Sequence, residues 1–217
     1  MQDKMGVSVI AKVMLIFVCL HFSNRAVAQQ PYFPFKHFST VNGLSQNHVL
    51  SILQDRQGFM WFGTLEGLNR FDGYEFTVFL HDSKDSTSLV QNFTASILED
   101  RDGVIWIGTG GGLSRFNRAT NNFTSYKHDP LNKNSISGGL INEMLEDEKG
   151  NFWIALTTGY LDYFDRQQNK FIHYQLEKDF TDITSLLADR DGNLWIGSRA
   201  GVAVMDQSRK TINQLRH

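Results

Sequence analysis

The chain holds one cysteine, Cys19, and three prolines in 217 residues. It has no unbroken apolar run of the roughly 20 residues that a membrane-spanning helix needs. A lone cysteine excludes a disulfide framework and a tetrathiolate zinc site. Basic side chains (21) do not outnumber acidic ones (23), which leaves a formal net charge of −2. That balance argues against the concentrated basic surface needed to hold nucleic-acid phosphates. Aromatics, by contrast, are abundant: 12% of the chain, with 17 Phe and 4 Trp, alongside 18 Gly. Aromatics suit pleated, half-buried strands and glycines suit the turns between them, so the composition points to many short β elements. At 41% apolar residues the chain can build a core.

The N-terminus reads as an export signal. Lys4 and Lys12 precede the apolar run 13–20, and Ala26-Val27-Ala28 provides a small-x-small site just before Gln29. This order predicts a signal peptide over residues 1–28, cut between Ala28 and Gln29, leaving residues 29–217 with no membrane span. Cleavage removes Cys19, and with it any thiol chemistry. It also removes Asp3, Lys4, Lys12 and Arg25, which moves the net charge to −4. Val18 is not the small residue that lipoprotein processing at Cys19 would require.

The four tryptophans fall at 61, 106, 153 and 195, spaced by 45, 47 and 42 residues. Each closes the same pattern, Asp-x-x-Gly-x-x-Trp: Asp55, Gly58, Trp61; Asp100, Gly103, Trp106; Asp147, Gly150, Trp153; Asp189, Gly192, Trp195. A further glycine follows six residues after each Trp, at Gly67, Gly112, Gly159 and Gly201. An apolar run such as 49–53 or 183–187 precedes each Asp and is long enough for a strand. The Asp carboxylate can accept backbone N–H bonds within a turn while the Gly takes positive φ. The Trp strand follows, then the second glycine reverses the chain into a third strand and a fourth. Four strands in about 45 residues make one blade of a β-propeller. The expected fold is therefore all-β, with four repeats of about four antiparallel strands.

The residues also resemble a known family. The stretch 38–49 with its Asn42-Gly43-Leu44-Ser45 core, then Trp61-Phe62-Gly63-Thr64 and Gly67-Leu68-Asn69-Arg70-Phe71-Asp72-Gly73-Tyr74, resembles the opening of the two-component regulator propeller family. The stretch 128–137 is similar to that family's linkers between blades. The resemblance implies the periplasmic sensor region of a hybrid two-component sensor histidine kinase of the Bacteroides type. In such proteins two seven-bladed propellers precede a β-sandwich, one membrane helix, a kinase, a receiver and often a DNA-binding domain. It further implies an oligosaccharide ligand, inner-membrane anchoring and homodimeric full-length relatives. Four repeats are an incomplete seven-bladed ring, so the expectation is an N-terminal fragment with an exposed sheet face at each end. Residues 32–38 offer an outer strand for a closing blade, the alternative being a compact four-bladed ring.

No catalytic, metal or cofactor site is expected. The pairs Glu99-Asp100 and Glu146-Asp147 have the residue types of a glycosidase dyad, but they recur at equivalent blade positions, whereas a catalytic pair is needed once. One Asp per turn supplies too few oxygens for calcium. His37, His48, His81, His128, His173 and His217 show no metal-ligand spacing. Gly108-Thr109-Gly110-Gly111-Gly112 lacks the Lys and the helix of a phosphate loop and reads as a hairpin. The Trp side chains are expected between blades rather than under a sugar. Ligand contacts are left to loops that the sequence does not single out. A secreted propeller enzyme acting on polysaccharide, or an interaction scaffold, are the competing functions; the enzyme needs a unique, non-repeated cluster of His, Asp, Glu, Tyr or Arg converging on the channel, and the sequence shows none.

Overall fold

The computed structural model describes residues 34–177, 179–209 and 212–215. The signal segment 1–28, its junction at Ala28 and Gln29, and Tyr32 lie outside the described residues. The chain divides at His37 and Phe38; of the first unit, residues 34–37 are described and hold no regular element.

From Phe38 onward the chain is all β apart from a single 3-10 turn at Thr40–Asn42. The first sheet contains β1 (Val49–Gln54), β2 (Met60–Thr64), β3 (Gly67–Phe71) and β4 (Phe76–Phe79). The second contains β5 (Thr94–Glu99), β6 (Ile105–Thr109), β7 (Gly112–Asn117) and β8 (Asn122–Tyr126). The third contains β9 (Ile141–Glu146), β10 (Phe152–Leu156), β11 (Tyr160–Asp165) and β12 (Lys170–Gln175), and the fourth β13 (Ile183–Ala188), β14 (Leu194–Ser198), β15 (Gly201–Met205) and β16 (Ile212–Leu215). Every sheet is an antiparallel meander in chain order, the arrangement of a propeller blade. The glycine-rich stretch 108–112 is the β6–β7 hairpin.

Successive sheets meet through their first strands, β5 packing on β1, β9 on β5 and β13 on β9. Each first strand carries a register shift near its start, between Val49 and Ser51, Thr94 and Ser96, Ile183 and Ser185, and opposite Ala155 and Leu156. A bulge there bends the strand where the next sheet must approach. The approach is close. A Cβ on Gly63 would lie 2.7 Å from the Thr94 carbonyl oxygen of the second sheet, and one on Gly108 2.5 Å from Ile141 Cγ2 of the third, so both positions favour glycine; the third sheet carries Ala155 there.

The core lies between sheets. Its three clusters are three seams: Trp61 with Ile105, Ile107 and Phe116; Trp106 with Phe152, Ile154 and Phe164; Trp153 with Leu194, Ile196 and Met205. The reason is the period of two in a strand. The Trp points to the following sheet, while its two neighbours along the strand point to the preceding one. Ring contacts fix the seams, with Trp61 to Phe116 at 5.0 Å and Trp106 to Phe164 at 5.7 Å.

The two ends of the series differ. Among the described residues no sheet precedes the first, and its Met60 and Phe62 are half-buried. Phe38 lies 4.8 Å from Phe71, at the β3 position where Phe116 and Phe164 each receive a Trp from the preceding sheet. On the fourth sheet no described aromatic covers the Trp, and Trp195 is 37% exposed where Trp61 is 0%. Residues 34–39 form no strand, so the closing strand that a compact four-bladed ring would draw from 32–38 is not seen among the described residues.

Burial at these positions sets unequal costs. Trp61→Ala is expected to lower stability by about 4 kcal/mol, the cost of a large aromatic cavity, and Trp195→Ala by about 1–2 kcal/mol. Urea unfolding of the two variants beside the parent measures both, and equal losses would contradict the seam assignment.

Candidate functional site

The repeated turn is built around its carboxylate. Asp55 Oδ1 accepts the Gln57 and Phe59 backbone N–H groups at 3.0 Å each, and its Oδ2 accepts the Trp61 indole N–H at 2.9 Å. Asp100 repeats this with Asp102, Val104 and Trp106. Asp147 does so with Lys149, Asn151 and Trp153, and Asp189 with Asp191, Asn193 and Trp195. Gly58, Gly103, Gly150 and Gly192 have φ between 80° and 90°, the left-handed region that favours glycine. Sequence reasoning found the turn and missed the indole bond, although Asp and Trp six residues apart in all four repeats was the available signal.

Arginines lock two of the seams at these turns. Arg118, just past β7, places Nη1 2.9 Å from Asp55 of the first sheet and Nη2 3.2 Å from Glu99 of its own sheet. Arg166, just past β11, does the same between Asp100 at 2.8 Å and Glu146. Both also donate to a turn carbonyl, of Gly103 and Gly150 respectively. Glu99, Asp100 and Glu146 are thus counter-ions of structural guanidiniums. Each Glu faces an Arg, and the shared planar fork reads both carboxylates at once.

The third seam is different. Register equivalence puts Gln207 at the Arg118 and Arg166 position and Ala188 at the Glu99 and Glu146 position. The Asp147 Oδ2 is instead bonded by the Asn151 side chain at 2.6 Å. Arg209, past β15, lies 4.2 Å from the Tyr163 ring centre and 5.1 Å from that of Trp153, so cation–π contact replaces the ion pair.

A polar cluster peculiar to the third sheet lies among the described residues, at the linker before β9. Asp162 is fully buried in β11 opposite His173 in β12, and Ser137 reaches both from the linker before β9. The Ser137 backbone N–H and hydroxyl donate to Asp162 at 2.7 and 2.8 Å. His173 Nδ1 lies 2.7 Å from Asp162 Oδ1, and Nε2 lies 3.1 Å from the Lys133 carbonyl oxygen. These are the residue types of a hydrolase triad in the wrong geometry. A general base must offer the serine a free imidazole nitrogen while the carboxylate holds the other one. Here the serine and the carboxylate crowd the same nitrogen, and the far nitrogen is turned to a carbonyl. The cluster is a linker lock. Asn69 and Ser114 hold the equivalent position in β3 and β7, accepting the Ser45 and Val90 N–H groups. Pattern searching missed the trio because its members lie 25 and 11 residues apart on a linker and two strands.

His81 and His128 occupy matching positions, each ring Nδ1 at 2.8 to 2.9 Å from the carbonyl of a buried linker residue, Leu89 or Ile136. His37 and His48 enter no such pairing, and His217 lies outside the described residues. Among the described residues no three His, Cys, Asp or Glu side chains come together as a metal site, and no helix is long and apolar enough to cross a membrane. Three cavities of about 310, 370 and 330 Å³ open on the third seam, on the second seam beside Arg166, and on the linker 81–89.

Comparison with known proteins agrees with this scaffold. Residues 43–66, 88–111 and 178–200 match the sequence profile of the family described as two component regulator propeller. These are the segments of the first, second and fourth Trp repeats; the third, with Ala155, Asp162 and His173, is the divergent one. A histidine kinase P4 of Formosa agariphila is 43% identical over 77 residues, 34% of this chain and 6% of that protein. The extracellular domain of a putative hybrid two component system of B. thetaiotaomicron superposes with a TM-score of 0.76 at 28% identity, over 84% of this chain and 26% of that one. Virginiamycin B lyase of Staphylococcus aureus shares the fold, with a TM-score of 0.62 at 13% identity over 80% of this chain and 57% of that one. The chain thus spans a small part of the length of its sensor relatives.

Two of the turn carboxylates, Asp55 and Asp189, make the fold acid-sensitive. Burial opposes ionisation of Asp55, but the Trp61 indole, Arg118 and the Phe59 N–H outweigh it and hold its carboxyl below the usual range. Asp189 is held at about 2, chiefly by the Trp195 indole and the Asn193 side chain. A carboxyl depressed on folding adds stability above its unfolded value, 3.8, and that stability is lost as pH falls through the folded value. Urea midpoints should therefore decline between about pH 4 and pH 2, and Asp189→Asn should flatten part of that decline. Parallel declines in parent and variant would contradict it.

Proposed function

Because the chain carries two component regulator propeller repeats on a β-propeller scaffold, we propose that it is the periplasmic, carbohydrate-sensing propeller portion of a hybrid two-component sensor histidine kinase. The observation that carries this reading is the 0.76 superposition on the extracellular domain of such a system, joined to family repeats at three of the four turns. Export through the signal peptide at residues 1–28 is part of the same proposal, as is a ligand of the oligosaccharide class.

The polar chemistry fits sensing rather than turnover. Glu99, Asp100 and Glu146 are occupied by Arg118 and Arg166, and Ser137 donates to its carboxylate instead of being deprotonated by a base. Purified protein titrated calorimetrically with a panel of plant and algal oligosaccharides should bind one class without consuming it. Product accumulation seen by chromatography would reverse the assignment to a propeller enzyme.

The chain is further proposed to be the N-terminal piece of a longer sensor. Its fourth sheet presents Trp195, Val202 and Leu187 to solvent at the position where each earlier sheet meets the next. An exposed apolar sheet face of this kind calls for a covering repeat. Reading the DNA beyond codon 217 should reveal further Asp-x-x-Gly-x-x-Trp units in a nearby frame, and their absence in every frame would count against it.

A further inference from the structure

The segment that leads into each of the first three sheets is tied to that sheet by a backbone N–H, and only the third tie is made by ionisable groups. The Ser45 N–H is accepted by Asn69 and the Val90 N–H by Ser114, whose neighbours across the strand pair are Val78 and Ser125. The Ser137 N–H is accepted by Asp162, whose neighbour is His173. His81 and His128 make the same ring contact within their own linkers, so they do not account for the difference.

The third tie can be read as a count of protons. Asp162 is fully buried and accepts the Ser137 N–H at 2.7 Å and hydroxyl at 2.8 Å, with His173 Nδ1 at 2.7 Å. Its neighbour on β10 is the apolar Ile154. A buried carboxylate needs a counter-charge, and among the described residues the imidazole is the cationic group paired with it. The far nitrogen, Nε2, lies 3.1 Å from the Lys133 carbonyl oxygen, a group that only accepts. Ser137 has one hydroxyl proton, committed to Asp162, so both ring nitrogens face acceptors. A neutral imidazole carries one N–H and would turn a lone pair either to the carboxylate or to the carbonyl. One more proton makes both contacts hydrogen bonds, whether it rests on Asp162 or on His173.

We propose that Asp162 and His173 share one proton beyond those of a carboxylate and a neutral imidazole, and that this proton latches linker 128–137 onto the third sheet. When it leaves to water, the remaining N–H stays with the carboxylate at Nδ1. The Nε2 lone pair then opposes the Lys133 carbonyl, and the linker lifts at residue 133. Docking takes up a proton, so it weakens as pH rises. From β11 the ring is faced by Asp162 and by Tyr160, whose ring centre is 6.4 Å away. From the linker it is faced by Ser137 and the Lys133 carbonyl; His128 is turned to the Ile136 carbonyl and Asp129 to the Leu131 N–H. On β12, Tyr174 packs on Trp153 and Lys170 pairs with the far end of β11. The latch is independent of the oligosaccharide reading.

The test uses the full chain. Nitrogen-15 spectra should show protons on both ring nitrogens of His173 at pH 7. Hydrogen exchange followed from pH 6 to pH 9 should show protection of 129–137, taken relative to the matching linker 82–90, falling at least about fivefold, the loss of one charge-assisted bond. The linker 82–90 shares the histidine contact and lacks the pair, so it corrects for the pH dependence of exchange itself. His173→Gln should make that ratio independent of pH. Asp162→Ser with His173→Ser copies the neutral pair of the second sheet and should do the same if the single variant fails to fold. A single ring proton on His173 at pH 7, a flat ratio in the parent, or an undiminished fall in a folded variant would overturn the proposal.

Discussion

The hydrogen bond from each indole N–H to the turn aspartate is the interaction on which the architecture rests. A tryptophan buried between two sheets has one polar atom to satisfy, and the aspartate six residues earlier satisfies it while its other oxygen closes the turn with two backbone N–H groups. One carboxylate therefore couples the turn inside a sheet to the packing between sheets. The bond also fixes the ring's direction, so that Trp61, Trp106 and Trp153 each face the next sheet and receive the Phe, Ile or Met that faces back.

From this arrangement follows a directional stack. Each seam joins unlike faces, and any sheet has one face that gives a Trp and one that receives it. At the start of the described unit the receiving position of Phe71 is covered by Phe38, an aromatic standing where the preceding Trp would stand. At the far end the giving face is open, with Trp195 still bonded to Asp189 yet half in solvent. Polar reinforcement then varies on a fixed apolar frame. Two seams carry a shared arginine between carboxylates of adjacent sheets, and the third substitutes Asn151 and a cation–π contact from Arg209. The third sheet departs in other ways as well, with Ala155 for glycine and the buried Asp162–His173 pair for a neutral residue. It is also the repeat whose Trp segment the family profile does not match.

A scaffold of this kind separates stability from recognition. The residues that recur hold turns and seams, so they are spent on structure, and departures from the repeat are where a specific ligand can be read. Ser137, Asp162 and His173 show that a departure can be structural too, since three residues able to form a triad are arranged to pin a linker. Distinguishing the two requires knowing which nitrogen faces which oxygen.

Much of this was legible in the sequence. Four Asp-x-x-Gly-x-x-Trp units at near-even spacing specified four antiparallel sheets, because a turn, a strand period of two and a repeated large aromatic are local properties that recur wherever the residues recur. The direction of each seam was not legible, since strand alternation says that Trp and its neighbours face opposite ways but not which way is forward. Nor was the pairing of Arg118 with Asp55, 63 residues away, or of His173 with Ser137, because contacts between sheets carry no spacing rule. The loss of the Glu–Arg pair at the third seam is visible only when Ala188 and Gln207, apart in sequence, are seen to stand where a glutamate and an arginine meet in the other seams. The sequence by itself determined the blades, through interactions within a turn or between adjacent strands. Tertiary structure alone decided how the blades meet, because that depends on side chains brought together across distances the local chain does not encode.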